Sequence, residues 1–60
     1  MIDDFDVTET MIKFGGSFVK TLGQLFRMAD GDNKTILKNA FPKYWKKYSE
    51  IAEELEKNNK

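Results

Sequence analysis

The side chains able to do chemistry sit in a few short runs. Asp30-Gly31-Asp32-Asn33-Lys34 begins like a calcium loop between two helices. Such a loop needs oxygen ligands at its fifth and twelfth positions and a glycine at its sixth. Counted from Asp30, those positions hold Lys34, Phe41 and Thr35, so the run reads as a helix stop followed by a helix start. Gly15-Gly16-Ser17 fits neither a dinucleotide fingerprint nor a Walker loop, and no strand precedes it. Ser17 and Ser49 have no imidazole to activate them, because the chain contains no His. Asp3, Asp4 and Asp6 cluster at the amino end, while Glu50, Glu53, Glu54 and Glu56 read as a solvated helix face. No catalytic residue, cofactor or metal-ligand set is expected, and the chain reads as a non-enzyme.

Lys34, Lys38, Lys43, Lys46 and Lys47 fall within residues 33–48, a stretch without a single acid. Phe41, Tyr44, Trp45 and Tyr48 are interleaved with the last three. Cations alternating with rings can hold phosphates and stack bases, so this patch is the candidate site for an anionic partner. Helical periodicity turns the rings inward and the lysines outward, which favours a solvated face. The charge is uneven along the chain. Residues 1–32 carry three basic and six acidic groups, and residues 33–60 carry seven and four, so the halves are net −3 and +3 and the total is zero. The third helix places lysines first and glutamates last, against the macrodipole. Asp3, Asp4 and Asp6 are therefore expected to lie against those lysines.

Sixty residues bound the answer further. A chain this short makes one domain at most, and its five Phe, two Tyr and one Trp are too many for a disordered tail. Without Cys or His there is no disulfide frame, zinc finger or thiol nucleophile. No uncharged stretch approaches the roughly 20 apolar residues of a membrane span, and the acidic start is not that of a secretory signal.

The elements follow from hydrophobic spacing. Met11, Phe18, Leu22, Leu25 and Ala29 form one helical row, flanked by Val7, Ile12, Phe14, Val19 and Phe26. This predicts a long helix over about residues 8–29 with Thr8 as N-cap. The glycines at 15 and 16 should cost about 1 kcal/mol each there, allowing a bend, with a full break the lesser alternative. Gly31 suits a left-handed helix end, and Asp32 or Asn33 the next cap. A short helix over about 33–41 follows, then one over about 42–57 opened by Pro42. The expected architecture is an all-α, three-helix domain spanning 1–60, with mobile ends at 1–6 and 58–60. Its core is expected to hold Phe18, Leu22, Leu25, Ile36, Leu37, Phe41, Tyr44, Trp45, Tyr48, Ile51 and Leu55.

Gly16 and Gly23, seven apart beside Ile12 and Val19, form a small-residue row. It serves close packing inside the monomer or a groove shared with a second chain. For a homodimer the expected interface is Ile12, Gly16, Val19, Gly23 and Phe26. Lys13, Lys20 and Arg27 make a second basic row opposite the apolar face. Taken alone that pattern also suits a membrane-surface helix, but a three-helix core requires the same apolar face.

The segments Phe14-Gly15-Gly16-Ser17-Phe18-Val19-Lys20 and Ala40-Phe41-Pro42-Lys43-Tyr44-Trp45, with Ala29-Asp30 and Asn33 between them, resemble a family of very short uncharacterised proteins encoded by bacteriophages and prophages. The resemblance covers roughly residues 8–50. It implies an accessory gene product in a bacterial cytoplasm and carries over no functional residue. The combined expectation is an accessory protein that binds another protein or itself; the alternative is a small nucleic-acid binder using the lysines of 34–47.

Overall fold

The computed structural model describes residues 2–58. Among them are four α-helices: α1 (Asp4–Phe14), α2 (Ser17–Met28), α3 (Gly31–Ala40) and α4 (Pro42–Asn58). The all-α class holds, but the expected long first helix is two. Gly15 and Gly16 are both extended, with φ, ψ of −79°, 158° and −72°, −173°. The backbone breaks at the glycine pair and folds back on itself. Gly15 lies near Val19, Gly23 near Met11 and Ile12, and Arg27 near Thr8. Partner numbers fall on one helix as they rise on the other, so α1 and α2 form an antiparallel hairpin. This fold-back covers apolar surface on both helices, which outweighs the one or two helical hydrogen bonds lost at the break.

Glycine makes that hairpin close. A Cβ on Gly23 would lie 3.0 Å from Met11 Cβ and 3.2 Å from the Thr8 carbonyl oxygen, tighter than ordinary contact.

The start of α1 lies ahead of the expected Thr8. Asp3 is the N-cap: its carboxylate accepts from the Asp6 N–H at 3.0 Å, and the Asp6 carboxylate accepts from the Asp3 N–H at 3.2 Å. This reciprocal pair is a capping box with Asp in the role usually taken by Glu or Gln. Residues 4–6, expected in a mobile end, are the first turn of this helix. Thr8 is buried instead, its hydroxyl donating to the carbonyls of Asp4 and Phe5. At the next joint Gly31 is not left-handed, and it opens α3 where it was expected to close the helix before it. Asp30 caps that helix by accepting from the Asn33 N–H at 2.9 Å, two or three residues earlier than the expected Asp32 or Asn33. Phe41 leaves helical geometry before Pro42, and its carbonyl accepts the first bond of α4 from the Trp45 N–H. Asn58 ends α4; the rest of the expected mobile end, 59–60, lies outside the described residues.

The break relocates the core. Val7 and Met11 from α1, Val19, Leu22 and Phe26 from α2, and Tyr48 and Ala52 from α4 are buried, Met11 and Phe26 completely. Of the expected core, Leu22 and Tyr48 are buried and Leu37, Phe41, Trp45 and Ile51 are packed against it in part. Phe18, Leu25, Ile36, Tyr44 and Leu55 are exposed. The physical reason is the fold-back: α2 turns its Val19–Gly23–Phe26 side to α1, which rotates Phe18 and Leu25 outward. Helix α3 contributes no buried residue.

Candidate protein-docking face

Fold-back leaves an apolar face built from α2 and α3. Phe18 and Leu25 lie seven apart on α2, and Leu37 and Phe41 four apart along and just beyond α3. At one end of the face Phe18, Phe41 and Tyr44 make a ring cluster, with centroids 5.5 to 6.3 Å apart. At the other end Leu25, Met28, Ala29, Asn33, Ile36 and Leu37 line a hollow of about 340 Å³. Met28 is 83% exposed and Ile36 62%. None of the six lining residues is ionisable. Met28 was missed in the sequence because it lies off the apolar row drawn through a continuous 8–29 helix. The signal that could have found it is its three-residue spacing from Leu25, which sets the two about 60° apart on one side of the helix.

The five residues expected at an interface with a second chain go elsewhere. Val19, Gly23 and Phe26 are buried inside the chain, two of them as core and Gly23 against Met11. Ile12 is half-buried, also against Gly23, and Gly16 is exposed with open space around it. Ile12, Val19, Gly23 and Phe26 thus pack within the chain and serve the monomer, while Gly16 takes no part in that packing.

The five lysines divide. Lys34 and Lys38 of α3 reach the Asp4 carboxylate on α1 at 3.7 and 3.3 Å, and Lys38 Nζ also lies 4.5 Å over the Trp45 ring. Asp4 thus supplies the contact expected of the acidic amino end, but to α3 and not to the lysines of α4; Asp3 and Asp6 are occupied with each other. Lys43, Lys46 and Lys47 are exposed on the first turns of α4, with Lys47 Nζ 5.6 Å over the Tyr48 ring. The rings interleaved with them divide: Tyr44 is exposed in the ring cluster with Phe18, while the others turn inward. Tyr48 is buried, and Trp45 packs on Phe26 with centroids 4.6 Å apart.

Two cations of the expected basic row meet at one carboxylate. Glu9 accepts from Arg27 at 2.8 Å and pairs with Lys13 at 3.3 Å. Arg27 Nε donates to the Thr8 hydroxyl at 3.0 Å, and its guanidinium lies 4.3 Å over the Phe5 ring. Hydrogen bonds from Arg27 first and Lys13 second hold the Glu9 carboxyl below its ordinary value. A second, larger hollow of about 530 Å³ lies between α1 and α4, where apolar Phe14, Ala52 and Leu55 alternate with Asp6, Glu9 and Lys13. Its Asp6 and Glu9 are engaged in the cap and the arginine pair. Ser49 donates to the Trp45 carbonyl at 2.6 Å. Among the described residues no cluster of acids could hold a metal ion, and no helix is long and apolar enough to cross a membrane.

Compared with known proteins, the chain matches no family model, no curated protein and no solved structure.

Proposed function

We propose that this chain is a non-enzymatic accessory protein of a bacterial cytoplasm, of the phage or prophage kind its segments resemble, and that it works by docking another protein on the α2–α3 face. One observation carries the reading: Leu25, Met28 and Ile36 stand exposed around a hollow without an ionisable lining residue, and Phe18 stands exposed farther along the same helix as Leu25. A soluble chain gains nothing in stability from apolar side chains left in water, and contiguous ones mark contact surfaces. Nucleic-acid binding is the weaker reading because Lys34 and Lys38 are engaged by Asp4 and, of the rings among the remaining lysines, Trp45 and Tyr48 pack into the fold, leaving Tyr44 alone exposed.

The test is photo-crosslinking in cells producing the chain, with a photoreactive residue at Ile36 and, as control, at the exposed Glu53 on α4. A protein adduct from position 36 and none from 53 is the expected result. No adduct at 36, or equal yields at both, would overturn it.

A further inference from the structure

Resting on that reading, we propose that the occupant of the α2–α3 face is a second copy of this chain, docked about a two-fold axis. A two-fold contact joins a patch to itself, so the patch must be self-complementary in charge and in shape. In charge it is neutral throughout. The hollow's lining has no ionisable group, and the exposed arc of α2 beside it is Ser17, Phe18, Thr21, Gln24, Leu25 and Met28, about 120° of uncharged helix. In a chain with 20 charged residues out of 60, this is the broad face that a two-fold axis brings together without opposing like charges. A charged partner would find no counter-charge there.

The shape is self-complementary too. Each copy offers a protruding group, Met28, and beside it a hollow of about 340 Å³, more than ten times the ~30 Å³ share of one water. A flexible thioether suits an irregular gap. The geometry therefore lets Met28 of each copy enter the hollow formed by Leu25, Ala29 and Leu37 of the other. Such a contact would also give α3 the burial it lacks in the monomer, and chains of this size commonly need oligomerisation to supplement one small core.

Sedimentation of the full chain across roughly 1 µM to 1 mM, the range of weak to moderate affinities, tests this. The expected result is a dimer of twice the 7.0 kDa chain mass. Met28→Lys, which drives an unpaired cation into the apolar hollow of each partner copy, should raise the dissociation constant at least about tenfold. Its helical circular dichroism should stay unchanged because Met28 is exposed. Glu53→Lys on α4 should dimerise like the parent. Isotope-filtered spectra of a mixed labelled sample should show the Met28 methyl of one copy beside Ala29 and Leu37 of another, a readout that needs no variant. A monomer at the top concentration overturns the proposal, as does a dimer indifferent to Met28→Lys or one lacking those inter-copy contacts. The docking reading fails separately: a cross-linked adduct of Ile36 with a different protein leaves it standing while the second copy is ruled out, and no adduct removes both.

Discussion

A methyl group on Gly15 would lie 2.5 Å from Val19 Cγ1 and 2.6 Å from the Met11 carbonyl oxygen. The hairpin closes there with no room for a side chain, since one obstacle is backbone and the other a buried valine. Gly15→Ala should therefore lower stability by about 1–3 kcal/mol, the usual cost of overpacking, although alanine is the more rigid residue in the unfolded chain. The neighbouring glycine should respond oppositely. Gly16 is the N-cap of α2, has open space around it and provides no side-chain cap. Gly16→Asp should add a few tenths to about 1 kcal/mol through a new cap and a favourable charge at the helix start. Urea unfolding of both variants checks the pair of signs.

Large apolar residues should divide sharply. Phe26 is fully buried against Trp45, and Phe26→Ala should cost about 3–5 kcal/mol, which is most of what so small a domain has. Ile36→Ala, at an exposed site, should change the monomer's stability by no more than about 0.5 kcal/mol. Thermal melts at low micromolar concentration separate the two. Equal losses would return Ile36 to the core.

Acid should loosen the Glu9 junction. Its carboxyl titrates below the ordinary value in the folded state because Arg27 and Lys13 favour the charged form. The stabilisation is therefore present above the unfolded carboxyl's range and disappears as pH falls through the folded value. Glu9→Gln should be less stable than the parent at neutral pH, with the gap closing as the solution is acidified toward that range and narrowing in salt. A gap constant with pH would show that charge is not its source.

Removing Asp4 should release α3 selectively. Asp4→Asn breaks the contacts to Lys34 and Lys38, each worth about 0.2–1 kcal/mol at exposed sites. Amide exchange over residues 31–40 should quicken at low salt and much less at high salt, with α2 nearly unchanged. Uniform acceleration would mean that Asp4 supports the whole fold.

Much of the architecture was legible in residue types. The stop at Ala29-Asp30 and the start at Pro42 follow from local chemistry, a capping carboxylate and a ring that fixes φ. The break at Gly15-Gly16 did not, because Met11 and Phe18 are seven apart and keep helical phase straight through the pair. Whether the backbone continues there depends on what α1 can cover by turning back, a tertiary quantity absent from local spacing. The misplaced core follows from that one junction. The candidate docking face depends on it too: Leu25 and Ile36 look like interior residues until the fold-back gives α2 a different side to bury.

The chain's one tryptophan, Trp45, touches both Phe26 of the interior and Lys38 of the loosely held α3. That position makes its indole a native reporter with two distinct readings. Detachment of α3 takes the ammonium away from the ring while Phe26 still packs against it, and only global melting frees the indole of both. Emission from an unlabelled sample can thus register the parting of one helix ahead of collapse of the whole.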